Sequence, residues 1–102
     1  MTTLLATHPS FLDHDTGPHH PERPDRLRAI LAALEDPLFA GLARAAAPLA
    51  TLEEMARVHP PGYLEAILGV QPAPGELVHI DGDTVMSSGS AEAVQRAAGA
   101  AV

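Results

Sequence analysis

The sequence predicts an α/β fold in which helices cover a parallel sheet. Short apolar segments typical of strands alternate with segments whose apolar residues recur at helical spacing. The order strand, helix, strand and then several helices is typical of the beginning of a layered α/β domain. The chain has 102 residues, which is at most one small domain.

The composition limits both the core and the chemistry. Hydrophobic residues make up 46% of the chain, but 19 residues are alanines and three are aromatic, so we expect a thin core. The absence of cysteine excludes disulfides, thiolate metal sites and cysteine catalysis. A net charge of −7 disfavours nucleic-acid partners, and no apolar run is long enough to cross a membrane. The N-terminus lacks the pattern of a signal peptide, so we expect a cytoplasmic protein.

An apolar run at the start of the chain predicts the first strand. Residues 2–7 carry no charged side chain, which favours a buried strand, and the pattern is lost in a polar loop over residues 10–23. A helix follows at Pro24, because proline suits the first helical position, and Pro37 stops it. The apolar stripe of this helix consists of Leu27, Ile30, Leu31 and Leu34.

The middle of the chain combines short helices with one weakly indicated strand. Residues 38–42 predict a helical turn, and residues 43–49 predict a second strand although alanine favours helix. A capping box, Thr51 with a glutamate three residues later, predicts a helix that reaches about His59. The Pro-Pro-Gly sequence that follows ends this helix, and a further helix ends at Gly69.

The last third of the chain contains loops, a short strand and a final helix. Residues 70–76 predict a loop, residues 77–80 a strand and residues 81–90 a turn-rich loop. Ser90 is the expected N-cap of a helix over residues 91–102. This helix has no stop signal where the sequence ends, and a parallel sheet needs more strands, so we expect an incomplete domain.

The loop after the first strand concentrates histidine and aspartate, which are common metal ligands. Their spacing matches no specific metal motif, so solvated or loop-stabilising side chains are the favoured interpretation, and a metal site is the less favoured one. The residues concerned are His8, Asp13, His14, Asp15, His19 and His20.

Three arginines surround the start of the first helix, where the helix dipole disfavours positive charge. An anion, a carboxylate partner or packing must compensate. Arg23 and Arg28 are consistent with solvated side chains, whereas Arg26 lies beside the loop and is the candidate for a functional role.

The segment from Ile80 to Thr84, with the sequence IDGDT, combines two aspartates with a glycine. Asp-Gly is a strong turn signal, and the calcium-loop pattern fails after Asp83. An aspartate at the rim of such a loop could instead accept hydrogen bonds from a ligand. His59, at the predicted end of a helix, is interpreted as structural. The sequence contains no nucleophile elbow, P-loop, dinucleotide fingerprint or HExxH motif.

Three segments in this order resemble the N-terminal part of the histone deacetylase family, which includes bacterial acetylpolyamine amidohydrolases. They are GPHHPERPDRLRAILAAL, TLEEMARVHPPGYLEAI and IDGDTVMSSGSAEAVQRAAGAAV, at residues 17–34, 51–67 and 80–102. Each segment alone is weak evidence, but the set is specific. The form is closer to the class II-like and bacterial branch than to class I.

The resemblance implies an arginase/deacetylase-type three-layer α/β fold with a central parallel sheet, of which residues 1–102 are the N-terminal portion. It also implies Zn²⁺-dependent hydrolysis of an acyl amide of lysine or a polyamine by a metal-bound water. The family's catalytic histidine pair, zinc ligands and catalytic tyrosine match no segment of this chain. We therefore expect no catalytic residue, no tight zinc binding and no activity from this chain alone.

The resemblance assigns four residues to a site. Arg26 corresponds to an arginine beside the internal channel, and His20 and Pro21 correspond to the loop that lines one side of the pocket. Asp83 corresponds to an acid on the substrate rim. The implied partners are acetylated lysine or acetylpolyamine and the missing C-terminal part. The alternatives are a non-catalytic interaction module and a non-functional remnant of the same fold.

Overall fold

The structure is a computed structural model that describes residues 2–102. This part of the chain contains four strands, four α-helices and two short 3-10 helices. The strands are β1 (Leu4–Thr7), β2 (Ala43–Ala46), β3 (Val78–His79) and β4 (Val85–Met86). The α-helices are α1 (Pro24–Ala33), α2 (Leu52–Met55), α3 (Pro61–Leu68) and α4 (Ser90–Ala101), and the 3-10 helices span Pro9–Asp13 and Pro37–Phe39.

β1 and β2 form the parallel pair that the α/β prediction requires. Leu4 lies opposite Ala43 and Thr7 lies opposite Ala46. The connection between them contains α1, as expected for parallel strands, which cannot be joined by a hairpin. The α/β fold class is therefore confirmed, although both strands are shorter than the sequence predicts.

The prediction that β1 is buried is wrong. Leu4 is 60% exposed and the other residues of the strand are half-buried. Strands of a parallel sheet are normally covered on both faces. In residues 2–102 the sheet has only two strands, so too few neighbouring side chains surround β1 to bury it.

α1 begins at Pro24 as predicted, with Asp25 in its first turn. The helix packs against the 3-10 helix at Pro9–Asp13. Its predicted apolar stripe is only partly covered, because Leu27 and Leu31 are half-buried while Ile30 remains exposed. The 3-10 helix itself is a correction, since a polar loop without regular structure was expected there.

Two short helices follow β2, and the sequence locates their beginnings better than their ends. The Thr51 side chain accepts from Glu54 N, and Glu54 accepts from Thr51 N at 2.8 Å, which completes the predicted capping box. That backbone hydrogen bond holds the pKa of Glu54 below its ordinary value. α2 nevertheless ends at Met55, short of the predicted His59. α3 ends before Gly69 as predicted, but this glycine keeps a right-handed conformation and is not a left-handed cap.

A hairpin replaces much of the loop predicted over residues 81–90. β3 pairs antiparallel with β4, with Val78 opposite Met86 and His79 opposite Val85. The backbone N–H of Ile80 donates to the carbonyl of Thr84 at 2.8 Å and closes the turn. β4 was missed because two residues carry no alternating pattern, and only pairing with β3 defines them as a strand.

The N-terminus of α4 also differs from the prediction. Gly89, not Ser90, is the N-cap residue, and no side chain caps the helix. Ser90 Oγ instead accepts a hydrogen bond from the backbone N–H of Ser87 at 2.8 Å and lies 2.6 Å from His14 Nδ1. A local partner, Ser87, and a distant one, His14, therefore take the side chain that the sequence assigns to helix capping.

α4 packs closely onto the chain at the carboxyl ends of β1 and β2. A Cβ atom at Gly89 would lie 2.5 Å from the carbonyl oxygen of Asp13. A Cβ atom at Gly99 would overlap the Pro48 carbonyl and lie 2.9 Å from Ala50 N. The Ala50 N–H donates to the carbonyl of Gln95 at 3.0 Å. Only glycine allows these two approaches.

The core that results is small. Ala50, Met55 and Leu64 form the buried cluster, and Leu68 and Ala98 pack against it. Many large apolar side chains remain on the surface, among them Leu4, Ile30, Leu38, Phe39, Leu49, Leu52, Val58 and Tyr63. Residues 2–102 contain no helix that is both long and apolar enough to cross a membrane.

The approach of α4 to Pro48 predicts that Gly99→Ala destabilises the protein. In an ordinary helix interior alanine is about 1 kcal/mol better than glycine. Here the added methyl overlaps the Pro48 carbonyl, so we expect a net loss of about 1–3 kcal/mol of unfolding free energy, as in other overpacked sites. Urea denaturation followed by circular dichroism measures it.

Gly62→Ala is the matched control, because Gly62 is also helical and no atom lies within 4 Å of its added Cβ. We expect this variant to be as stable as the parent or more stable. Equal stability of Gly99→Ala and Gly62→Ala would contradict the close packing of α4.

Candidate functional site

A cavity of about 660 Å³ lies between the start of α1, α3, the β3–β4 hairpin and α4. Val85 and Met86, which are both buried, contribute to its apolar lining. Polar and charged side chains from the loop before α1 and from the hairpin turn complete the lining. A concave apolar cavity with a few convergent polar groups is the usual form of a small-molecule site.

Three of the four site residues assigned by resemblance line this cavity. His20, Arg26 and Asp83 contribute to its wall, whereas Pro21 is not among its lining residues in the described part of the chain. His20 Nε2 lies 2.8 Å from the carbonyl oxygen of Asp83. The fold thus joins segments that are 63 residues apart in sequence.

A carboxylate compensates the position of Arg26 near the helix N-terminus. Its Nη2 donates to both oxygens of Glu22, at 3.1 and 3.0 Å. Arg28 is held in the same way by Asp25 at 2.6 Å. The sequence leaves open whether an anion, a carboxylate or packing compensates these positive charges. The structure shows a carboxylate partner for both arginines.

Several lining residues were missed by sequence reasoning. His14 and Ser90 line the cavity and are in hydrogen-bond contact, and Tyr63 lines it from α3. The ring of Tyr63 also contacts His59, with 5.4 Å between the ring centroids. No local pattern identifies the His14–Ser90 pair, because the two residues are 76 positions apart.

Serine side chains stabilise the histidine-rich loop and connect it to the segment between β4 and α4. Ser87 Oγ donates to the carbonyl of Asp13 at 3.1 Å and accepts from Asp15 N at 2.9 Å. His8 Nδ1 accepts from Ser10 N at 3.1 Å. These bonds stabilise the loop, as the favoured interpretation requires. Within residues 2–102 the structure brings no group of three or more histidine, aspartate or glutamate side chains together in a way that could hold a metal ion.

The hairpin turn has a defined electrostatic environment. The backbone N–H of Asp83 donates to Asp81 Oδ1 at 2.8 Å. This bond, followed by one from the Thr84 side chain, holds the pKa of Asp81 below its ordinary value. The turn interpretation of the IDGDT segment is therefore confirmed, and Asp81 is ionised at neutral pH.

The comparison with known protein families agrees with the resemblance. The sequence model of the histone deacetylase domain matches residues 20–102, which is most of the chain. The chain belongs to the histone deacetylase family. The family prediction is confirmed, while the assignment to the class II-like and bacterial branch stays a prediction.

A solved structure of the same family has the same fold. The HD domain of HDA15, known from a crystal structure, superposes on this chain with a TM-score of 0.79 at 27% sequence identity. The match covers 96% of this chain and 29% of that chain, so this chain spans less than a third of its length. A search of curated protein sequences found no match.

The lowered pKa of Asp81 predicts how the hairpin turn responds to acid. Because the folded-state pKa lies below that of the unfolded chain, the stabilising effect is complete above the unfolded-state value. It is lost as the pH falls through the folded-state value. An NMR titration of the Asp81 carboxyl group should give a pKa below the ordinary value of an aspartate side chain.

Asp81→Asn is the control, because its amide oxygen still accepts from Asp83 N but does not titrate. The backbone signals of the turn should then no longer follow this titration. An Asp81 pKa at or above the ordinary value of an aspartate side chain would contradict the hydrogen-bonded turn.

Proposed function

We propose that residues 1–102 are the N-terminal portion of a zinc-dependent deacylase that hydrolyses an acyl amide of lysine or of a polyamine. The observation that carries the proposal is the cavity, because two of the segments that resemble the family, distant from each other in sequence, line it together. His20 and Arg26 come from the HPERPDR segment, and Asp83 comes from the DGDT segment. The family match over residues 20–102 supports the reaction class.

In this proposal the chain binds and orients substrate and product. Arg26 presents a guanidinium to the cavity, where it attracts the carboxylate that amide hydrolysis releases. Asp83 lies on the hairpin turn at the rim, where a carboxylate accepts hydrogen bonds from the backbone N–H groups of a substrate. His20 and Pro21 belong to the loop at the pocket wall.

Zinc is the metal that the family implies, and it supplies a Lewis acid and an activated water. Residues 2–102 do not fit a zinc site, because no three ligating side chains converge. We therefore derive no step through zinc from this chain. In the proposal the zinc ligands and the catalytic histidines and tyrosine belong to the rest of the domain, and the isolated chain is inactive.

The same structure also fits a non-catalytic interaction module, which is the second candidate. The exposed apolar side chains favour it, since large apolar surface often marks contact with another polypeptide. In either case we propose association with the remaining part of a deacetylase domain in the cytoplasm. Deacylase activity of the complete protein on acetyl-lysine peptides or acetylated polyamines supports the enzyme, and its absence supports the module.

Titration with zinc tests the distribution of metal ligands. We expect the purified chain to bind no stoichiometric zinc with sub-micromolar affinity, because its histidines are held separately. Isothermal titration calorimetry measures this, with a two-residue variant, His14→Ala with His20→Ala, as the comparison. Tight stoichiometric binding that this variant loses would place a metal site within the chain and contradict the proposal.

Replacing Arg26 tests its role in the complete enzyme. Its ion pair with Glu22 is solvent-exposed, so Arg26→Ala should cost at most about 1 kcal/mol of stability. We expect a much larger effect on turnover, of about tenfold or more, because the loss of a charge-assisted contact made during the reaction is worth more than an exposed pair.

Arg28→Ala is the matched control for this experiment. Arg28 lies on the same helix, is equally exposed and is also paired with a carboxylate, but in the described part of the chain it does not line the cavity. We expect its turnover to be unchanged. If the two variants have the same turnover, Arg26 has no role in the site.

A further inference from the structure

The imidazole of His20 connects two parts of the cavity wall. Its Nε2 lies 2.8 Å from the carbonyl oxygen of Asp83, and its Nδ1 lies 3.0 Å from the backbone N of Glu22. In residues 2–102, the Nε2 contact is the one hydrogen bond that joins residues 16–26 to residues 80–84. His20 is therefore the hydrogen-bonding link between the hairpin turn and the start of α1.

These two partners determine the tautomer of the ring. A backbone N–H can only donate, so Nδ1 must accept from Glu22 and carries no proton. A carbonyl oxygen can only accept, so Nε2 must carry the proton and donate to Asp83. The geometry requires neutral His20 with its proton on Nε2.

Glu22 extends this connection to Arg26. Its N–H is held by His20, its carbonyl accepts from the hydroxyl of Thr16, and its carboxylate accepts twice from Arg26. The backbone N–H and the carbonyl of Glu22 are thus both hydrogen-bonded. These bonds hold the residue whose carboxylate orients the guanidinium of Arg26. A shift of the Glu22 backbone would move the Arg26 side chain.

We propose that His20 and Glu22 are positioning residues that set the rim turn and the Arg26 guanidinium at a fixed separation across the cavity. His20 holds the turn through the Asp83 carbonyl, and Glu22 holds the guanidinium directly. The proposal rests on the proposed function in one respect, because that function assigns Asp83 and Arg26 their roles in binding substrate and product. The hydrogen-bond relay itself is a property of the folded chain.

The two bonds of His20 can be separated by substitution. In His20→Asn the side-chain oxygen takes the place of Nδ1 and accepts from Glu22 N, but the side chain is too short for Asp83. In His20→Gln the side-chain NH₂ takes the place of Nε2 and donates to the Asp83 carbonyl, without the acceptor next to Glu22. His19→Asn is the control, because the His19 side chain is exposed and makes no hydrogen bond within residues 2–102.

NMR of the chain labelled with ¹⁵N tests the proposal. Long-range ¹⁵N–¹H spectra at pH 8.5 should show the Nε2–H tautomer for His20. We expect His20→Asn to shift the backbone signals of residues 81–84 and to leave the Arg26 Nε–H signal in place. His20→Gln should shift the signals of Glu22 and Arg26 and keep those of the turn.

Three results would overturn the positioning role: an Nδ1–H tautomer, both variants shifting the same signals, or both behaving as His19→Asn does. An Nδ1–H tautomer is detected without any variant, so the proposal can be overturned even if a substitution unfolds the chain. The proposed function fails separately, through absence of deacylase activity in the complete protein while the NMR pattern is as expected.

Discussion

The close contact between α4 and the chain beyond β1 and β2 is the constraint on which the rest of the structure depends. Gly89 touches the backbone of Asp13 after β1, and Gly99 touches Pro48 after β2. Between these points Arg96 donates to the Ala47 carbonyl at 2.9 Å. One helix is thus fixed to the carboxyl ends of both parallel strands, which is where α/β proteins place their binding sites.

The cavity follows from this arrangement. Because α4 crosses the ends of the strands, the loop after β1 must turn over its N-terminus, where His14 meets Ser90. The same loop then continues into α1 and brings His20 against the hairpin that precedes α4. The functional candidates therefore lie on loops and helix ends that a rigid contact positions.

The thin core and the exposed apolar surface agree with the place of this chain in its family. The two edges of the sheet differ, since β1 has no charged residue while β2 carries Arg44, which donates to the Leu34 carbonyl. Charged residues commonly protect the outer edge of a sheet, so β1 has the character of an interior strand. The chain spans 29% of the HDA15 HD domain, and its exposed apolar side chains suit the proposed association with the rest of such a domain.

Elements with local signals could be predicted from the sequence alone. Pro24 starts α1 and the Thr51 capping box starts α2, because these residues act on backbone groups within one turn. The family resemblance identified His20, Arg26 and Asp83, which line the cavity. The folded structure was needed to find β4, which exists only as the partner of β3, and the contact of Ser90 with His14, which lies 76 positions away. Such contacts leave no periodic pattern in the sequence, because they stabilise the chain only once its segments have packed together.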